Sequence, residues 1–351
     1  MSPWIFLRFL FLPAIVIAGN LLGGWWNFSI PVLCFIIHPV IGLLSGKNSS
    51  IHEEDNSSHY DEKAYRLVPL LFIPPLVFIT TWAIIQSDRN SMIEFIGIAL
   101  SVGIVNGILG FTLAHELIHR HTRLERTAGY VLLLQNNYTY YGIEHIGGHH
   151  VYACTEKDPH TARLGESLYR FLPRAILFTF LNAWEIESNR LKRKEKKVIS
   201  RHNRMLIFFL LQFFCYSIIL AFPGWKPFLF FISQSVVAIL LLNVTGYLQH
   251  YGLARKEIQK NHFERISAHH AWSSRPGNDG LNLFQVGKHA DHHMHPSHSY
   301  EQLVHQHDSP EQPTGYSGMM WLALVPPLWF RIMNNRISSF TNKIVQHETA
   351  H

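Results

Sequence analysis

Residues 93–119 read IEFIGIALSVGIVNGILGFTLAHELIH. A bilayer core about 30 Å thick is crossed by ~20 apolar residues rising ~1.5 Å each. The stretch 93–114 therefore predicts a membrane-spanning helix, and the run ends on His115 and His119. Their i, i+4 spacing sets both rings on one helix face at the end of that span. A long apolar helix finishing in a pair of imidazoles frames the rest of the chain.

Five further windows have the same character: residues 4–22, 27–45, 66–86, 205–222 and 226–248. Pro74, Pro75 and several glycines interrupt them, which membrane helices tolerate better than soluble ones. The first window has Arg8 inside its apolar stretch rather than ahead of it, so a retained anchor is expected rather than a signal peptide. Of the 351 residues 48% are hydrophobic and 15% charged, where soluble chains average about 25% charged. The fold class expected is an all-α integral membrane protein with about six transmembrane helices, forming one membrane-embedded catalytic domain over 1–351. A soluble protein with buried core helices is disfavoured, because core helices seldom reach this length and purity.

The windows pair through short connectors, GNLLGGWW, SDRN and PGWK, that hold little positive charge. Between Arg120 and Arg204, by contrast, Arg and Lys recur throughout, with a dense run RLKRKEKK at 190–197. The positive-inside rule then places this segment, both termini and the acidic 46–64 loop in the cytoplasm. The histidine-bearing regions 115–204 and 249–351 fall on that side. No nucleic-acid motif accompanies the basic charge, so no nucleic-acid partner is expected. Cys34, Cys154 and Cys215 are dispersed, and no C-x-x-C, G-x-G-x-x-G or P-loop occurs. Redox chemistry would need electrons from another protein.

Histidine equals Asp plus Glu in number, 24 of each, and much of it is clustered. The clusters are HELIH (His115, His119), EHIGGHH (His145, His149, His150), QHYG (His250) and HADHH (His289, His292, His293). Nine neutral imidazoles are too many for one ion and about right for two; imidazole suits Fe, Cu and Zn. H-E-x-x-H is also the zincin signature, so a membrane zinc metalloprotease competes, although it needs only one further ligand. A metal transporter would want polar groups inside the spans, and apart from His38 the windows look nearly bare of them.

In these boxes the chain resembles the integral-membrane di-iron alkane hydroxylases, within the membrane fatty-acid desaturase and hydroxylase superfamily. Further stretches carry the likeness: DPHTARLGESLYRF, YLQHYGLAR, HHAWSS, GKHADHHMHP, SYEQL, PTGYSGM and LVPPLWF, together spanning about His115 to Phe330. The first hundred residues match only in their pattern of spans. The resemblance implies that His115, His119, His145, His149, His150, His250, His289, His292 and His293 bind two iron ions. It implies O2-dependent terminal hydroxylation of alkanes, in a bacterial inner membrane. Rubredoxin and an NAD(P)H-dependent rubredoxin reductase would supply the electrons.

Glu116, Glu144 and Asp291 neighbour ligands and are expected to orient their imidazoles, with Asp158 a further candidate. His270 is expected in a structural motif near the site, while His295, His298, His305 and His307 read as loop residues. Related chemistry stays open at this level: desaturation, hydroxylation or decarboxylation of fatty acids, or oxidation of aromatic methyl groups as in xylene monooxygenase.

Overall fold

In the computed structural model, residues 2–44, 61–274 and 283–349 are described. Among these, six helices are long and apolar enough to cross a membrane. They are α1 (Pro3–Leu22), α2 (Gly24–Ile41), α3 (Glu62–Gln86), α4 (Met92–Ile118), α8 (Arg204–Ala221) and α9 (Trp225–His250). Each coincides with a window read from the sequence. Most of the acidic 46–64 loop lies outside the described residues.

Local chemistry sets where the spans begin. Ser91 and Glu94 form a reciprocal capping box at the start of α4, and Asn203 caps α8 through Met205 and Leu206. Glu94 also accepts a hydrogen bond from Gly24 N at 2.7 Å, tying the α1–α2 turn to α4. Gly23 there has φ +74°, a conformation suited to glycine. Lys226 donates to the carbonyls of Asp88 and Asn90, both at 2.8 Å, linking the α3–α4 and α8–α9 turns.

α4 and α9 run parallel in close contact, and this pairing positions the site. A Cβ on Gly103 would lie 2.6 Å from Val237 Cβ, and one on Gly107 would lie 2.9 Å from Leu241 Cδ1. Small residues four apart let two membrane helices approach this closely. Past a π-helical turn over Asn106–Gly110, α4 runs on to His115, and α9 ends at His250.

The stretch 115–204, read as cytoplasmic from its charge, also sends a helix back among the spans. α5 (Arg123–Gln135) packs antiparallel to α4, with Gly129 against Ala114 and Gln135 Nε2 donating to Asn106 Oδ1 at 3.0 Å. From Ile118 back to Asn106 is about 18 Å of helix. The chain then turns through residues 136–140 at that depth. Non-helical backbone is tolerated there only when protein satisfies it. Asn106 donates to Thr80 Oγ1 at 3.0 Å and to Gln234 Oε1 at 2.9 Å. Gln234 donates to the carbonyl of Gln135, and Asn137 donates to Ser235 and accepts from Tyr216. The spans are therefore less bare of polar groups than the sequence suggested.

After the turn, α6 (residues 141–152) returns toward the ends of α4 and α9. α7 (Leu168–Arg193) covers it, Ile186 lying against Gly147 and Gly148. Beyond α9 come a short hairpin (Glu257–Gln259 with His262–Phe263), α10 (His289–Met294), α11 (Tyr316–Ala323) and α12 (Pro326–Thr349). α11 docks on α2 at a π-helical turn over Leu33–Ile37, where the Phe35 carbonyl accepts from Trp321 Nε1 at 2.7 Å.

Gly103→Leu should cost about 1–3 kcal/mol by overpacking the α4–α9 contact; an unchanged unfolding midpoint in detergent would contradict the close approach. Glu187 joins α7 to α8: fully buried, it accepts from Arg190 at 2.6 and 2.7 Å and from Arg204 Nε at 2.9 Å. Burial pushes its carboxyl up, but the two guanidiniums outweigh this and hold it down to about 2. A depressed folded pKa gives stability that is complete above the ordinary carboxylate range and is lost as pH falls toward the folded value. The stability gap between wild type and Glu187→Gln should accordingly shrink as pH is lowered from about 6 to about 3.

Candidate metal centre

The nine histidines of the boxes gather into two groups at one end of the bundle. His115, His119, His145, His150 and His292 form one; His149, His250, His289 and His293 form the other. In each group one ring nitrogen per residue lies within 4.8 Å of all the others. His115 ends α4, His250 ends α9, and α10 presents His289 and His293 to one group and His292 to the other. The H-x3-HH box divides as well. A π-helical turn over His145–His149 directs His149 away from His145 and His150 and into the four-histidine group.

The donor atoms fit metal ions and fit little else. His150 Nε2 lies 3.0 Å from His145 Nε2 and 3.1 Å from His292 Nε2. His293 Nε2 lies 3.0 Å from His289 Nε2 and 3.2 Å from His149 Nε2, and His250 and His289 approach to 3.0 Å. A neutral imidazole nitrogen carries either a proton or a lone pair, so one facing two others cannot satisfy both. Nitrogens at right angles around an ion ~2.1 Å away stand about 3.0 Å apart. Buried His119 Nε2 also lacks a hydrogen-bond partner.

Protonation favours the same role. Burial, reinforced by neighbouring imidazoles, pulls His119 down to about 4 and pushes His145, His150, His289, His292 and His293 well below the usual histidine range. Their rings are neutral at pH 7, the form that coordinates. His149 is the exception: burial opposes its charge, but the Asp158 carboxylate outweighs burial and raises it.

Asp158 Oδ2 accepts from His149 Nδ1–H at 2.9 Å and from Thr161 Oγ1 at 2.6 Å. His250 Nδ1 lies 3.1 Å from the His270 carbonyl and 3.5 Å from Cys154 Sγ. Both contacts leave Nε2 as the coordinating atom. His270 thus supports the site through its backbone.

Of the three carboxylates expected to orient ligands, Glu116 and Asp291 hold other partners. Glu116 pairs with Arg120 at 2.7 Å and accepts from Tyr300 N. Asp291 accepts from Gln306 and Val304. Glu144 is wholly buried, with His160 Nε2 3.4 Å away. His160 itself borders the site and was not singled out in the sequence; its neighbours Asp158 and Thr161 were the available signal.

A cavity of about 80 Å³ lies against the two groups. His115, His145, His149 and His289 bound it on one side, and Gly107, Phe111, Leu242 and Gly246 on the span side.

The fatty acid desaturase family matches residues 92–323. The chain is 35% identical to alkane 1-monooxygenase 1 of Pseudomonas aeruginosa, over 90% of this chain and 84% of that protein. It is also 35% identical to alkane 1-monooxygenase 2 of Alcanivorax borkumensis, over 90% and 84%. A more distant likeness, 25% over 70% of this chain and 65% of the relative, is to the xylene/toluene monooxygenase hydroxylase component XylM of Pseudomonas putida. With its spans and paired histidine groups in view, the chain belongs to the alkane hydroxylase family of the membrane fatty-acid desaturase and hydroxylase superfamily.

Proposed function

We propose that this chain is an alkane 1-monooxygenase, using O2 to convert the terminal methyl of an alkane to a primary alcohol at a non-haem di-iron centre. One iron would sit in each histidine group. The observation that carries this reading is the cavity, which joins an apolar helix interface directly to both groups of imidazoles. Iron held there supplies the oxygen activation and C–H oxidation that no side chain can provide.

The residues of the chain do the rest. A saturated chain offers no charge and no hydrogen bond, so it can be held only by shape in a dry space. Phe111, Leu242 and Gly107 provide apolar walls, and Thr245 turns its hydroxyl to the Leu241 carbonyl at 3.0 Å. Asp158 keeps His149 in the tautomer whose Nε2 faces inward.

Turnover consumes two electrons and two protons: R–CH3 + O2 + 2e⁻ + 2H⁺ gives R–CH2OH + H2O. The sequence carries no nicotinamide-binding motif, and we assign delivery to rubredoxin and an NAD(P)H-dependent rubredoxin reductase. The exposed lysines and arginine at 192–197 suit electrostatic steering of an acidic carrier. The same charge supports an orientation with the histidine end and both termini on the cytoplasmic side of a bacterial inner membrane.

Iron-loaded membranes supplied with rubredoxin, reductase, NADH and O2 should turn octane into 1-octanol in preference to oxidising xylene or a fatty acid offered in parallel. Preferential oxidation of either competitor would overturn the alkane assignment. His145→Ala and His289→Ala should each abolish hydroxylation and lower iron content; full activity with full iron would refute the ligand set. Asp158→Asn should weaken metal binding or activity by roughly 10- to 100-fold, read by metal analysis beside the assay.

A further inference from the structure

A third convergence of ligand atoms lies at the end of α10, formed by residues outside the nine. Asp291, His295 and His298 each offer one ligand atom, and the three atoms lie within 4.8 Å of one another. Asp291 is 1% exposed, and its carboxylate is pinned: Gln306 Nε2 donates to Oδ1 at 2.7 Å and Val304 N to Oδ2 at 3.1 Å. His295 Nδ1 is 3.0 Å from Oδ1. The two imidazoles stack with centroids 4.7 Å apart and planes 15° from parallel. Their backbones are joined by a turn, His298 N donating to His295 O at 2.9 Å.

An Asp–His hydrogen bond accounts for His295 but not for His298. Its Nδ1 is shielded from solvent without a hydrogen-bond partner, 3.9 Å from Asp291 Oδ2. That separation is too long for a hydrogen bond. It is right for two ligands of one ion, which at ~2.1 Å each stand at most about 4.2 Å apart. Two imidazoles and one carboxylate are a known set for divalent transition metals, with the remaining positions left to water.

We propose that Asp291, His295 and His298 form a third metal site, one that binds a divalent transition cation such as Zn²⁺ and exchanges it with solvent. The imidazoles are 45% and 42% exposed, which gives an ion direct access, unlike the buried main groups. Asp291 lies on α10 beside His292, but its carboxylate and the two imidazoles converge on a point apart from both principal groups.

The test compares full-length, iron-loaded protein with the double variant His295→Ala/His298→Ala and with the conservative single variant His298→Gln. Each is dialysed against micromolar Zn²⁺ and analysed for zinc and iron. The wild type should hold one zinc equivalent more per chain than either variant, released by a mild chelator, while iron content is the same in all three. Equal zinc in all three would overturn the site. Loss of iron from the variants together with zinc would overturn it too, because these residues would then belong to the main centre. Neither readout depends on which substrate the enzyme oxidises.

Discussion

Nine imidazole nitrogens aimed at two points repel one another unless a cation stands between them, and the architecture is built around holding them there. The rings come from four separate segments, the ends of α4 and α9, the interior of α6 and the whole of α10. Left to themselves, such groups would rotate outward to solvent. Burial prevents this, and it also keeps the rings neutral, so that their lone pairs remain available.

The constraint reaches well into the membrane. His115 and His250 reach the same end of the bundle because α4 and α9 run parallel, held at glycine-limited distance at Gly103 and Gly107. α6 reaches the same place because α5 first descends alongside α4 and the chain reverses among Asn106, Gln135, Asn137 and Gln234. A polar cluster deep among apolar helices, far from any metal ligand, is thus what allows the H-x3-HH box to approach from the membrane side. Removing one of its members would leave a buried amide unpaired, at about 1–3 kcal/mol.

Much of this was legible in the sequence. The spans showed because membrane-facing and bundle-facing residues are alike apolar, so each helix reads as an unbroken run. The boxes showed because ligands on a helix recur at fixed spacing. The division of the EHIGGHH box was hidden, since a π turn has no clear signature and ordinary helical geometry would keep His145 and His149 together. α5 was hidden by its own charge: Arg123 and Arg126 suggest a solvated helix, while the partners of Gln135 and Asn137 lie far along the chain. Glu116, Glu144 and Asp291 stand next to ligands in the sequence, while Asp158, nine residues from His149, is brought back to its ring by the turn that follows α6.

The order of ligands along the chain also fixes when the centre can exist. Both histidine groups draw on α10, which follows the last span, and on residues before α7. Neither group can close until all six spans and at least 292 residues have been made. During synthesis the early boxes must wait, incomplete, beside a growing bundle. A metal held by both groups would therefore enter a protein whose spans are already made, as the last fastening of the fold rather than its nucleus.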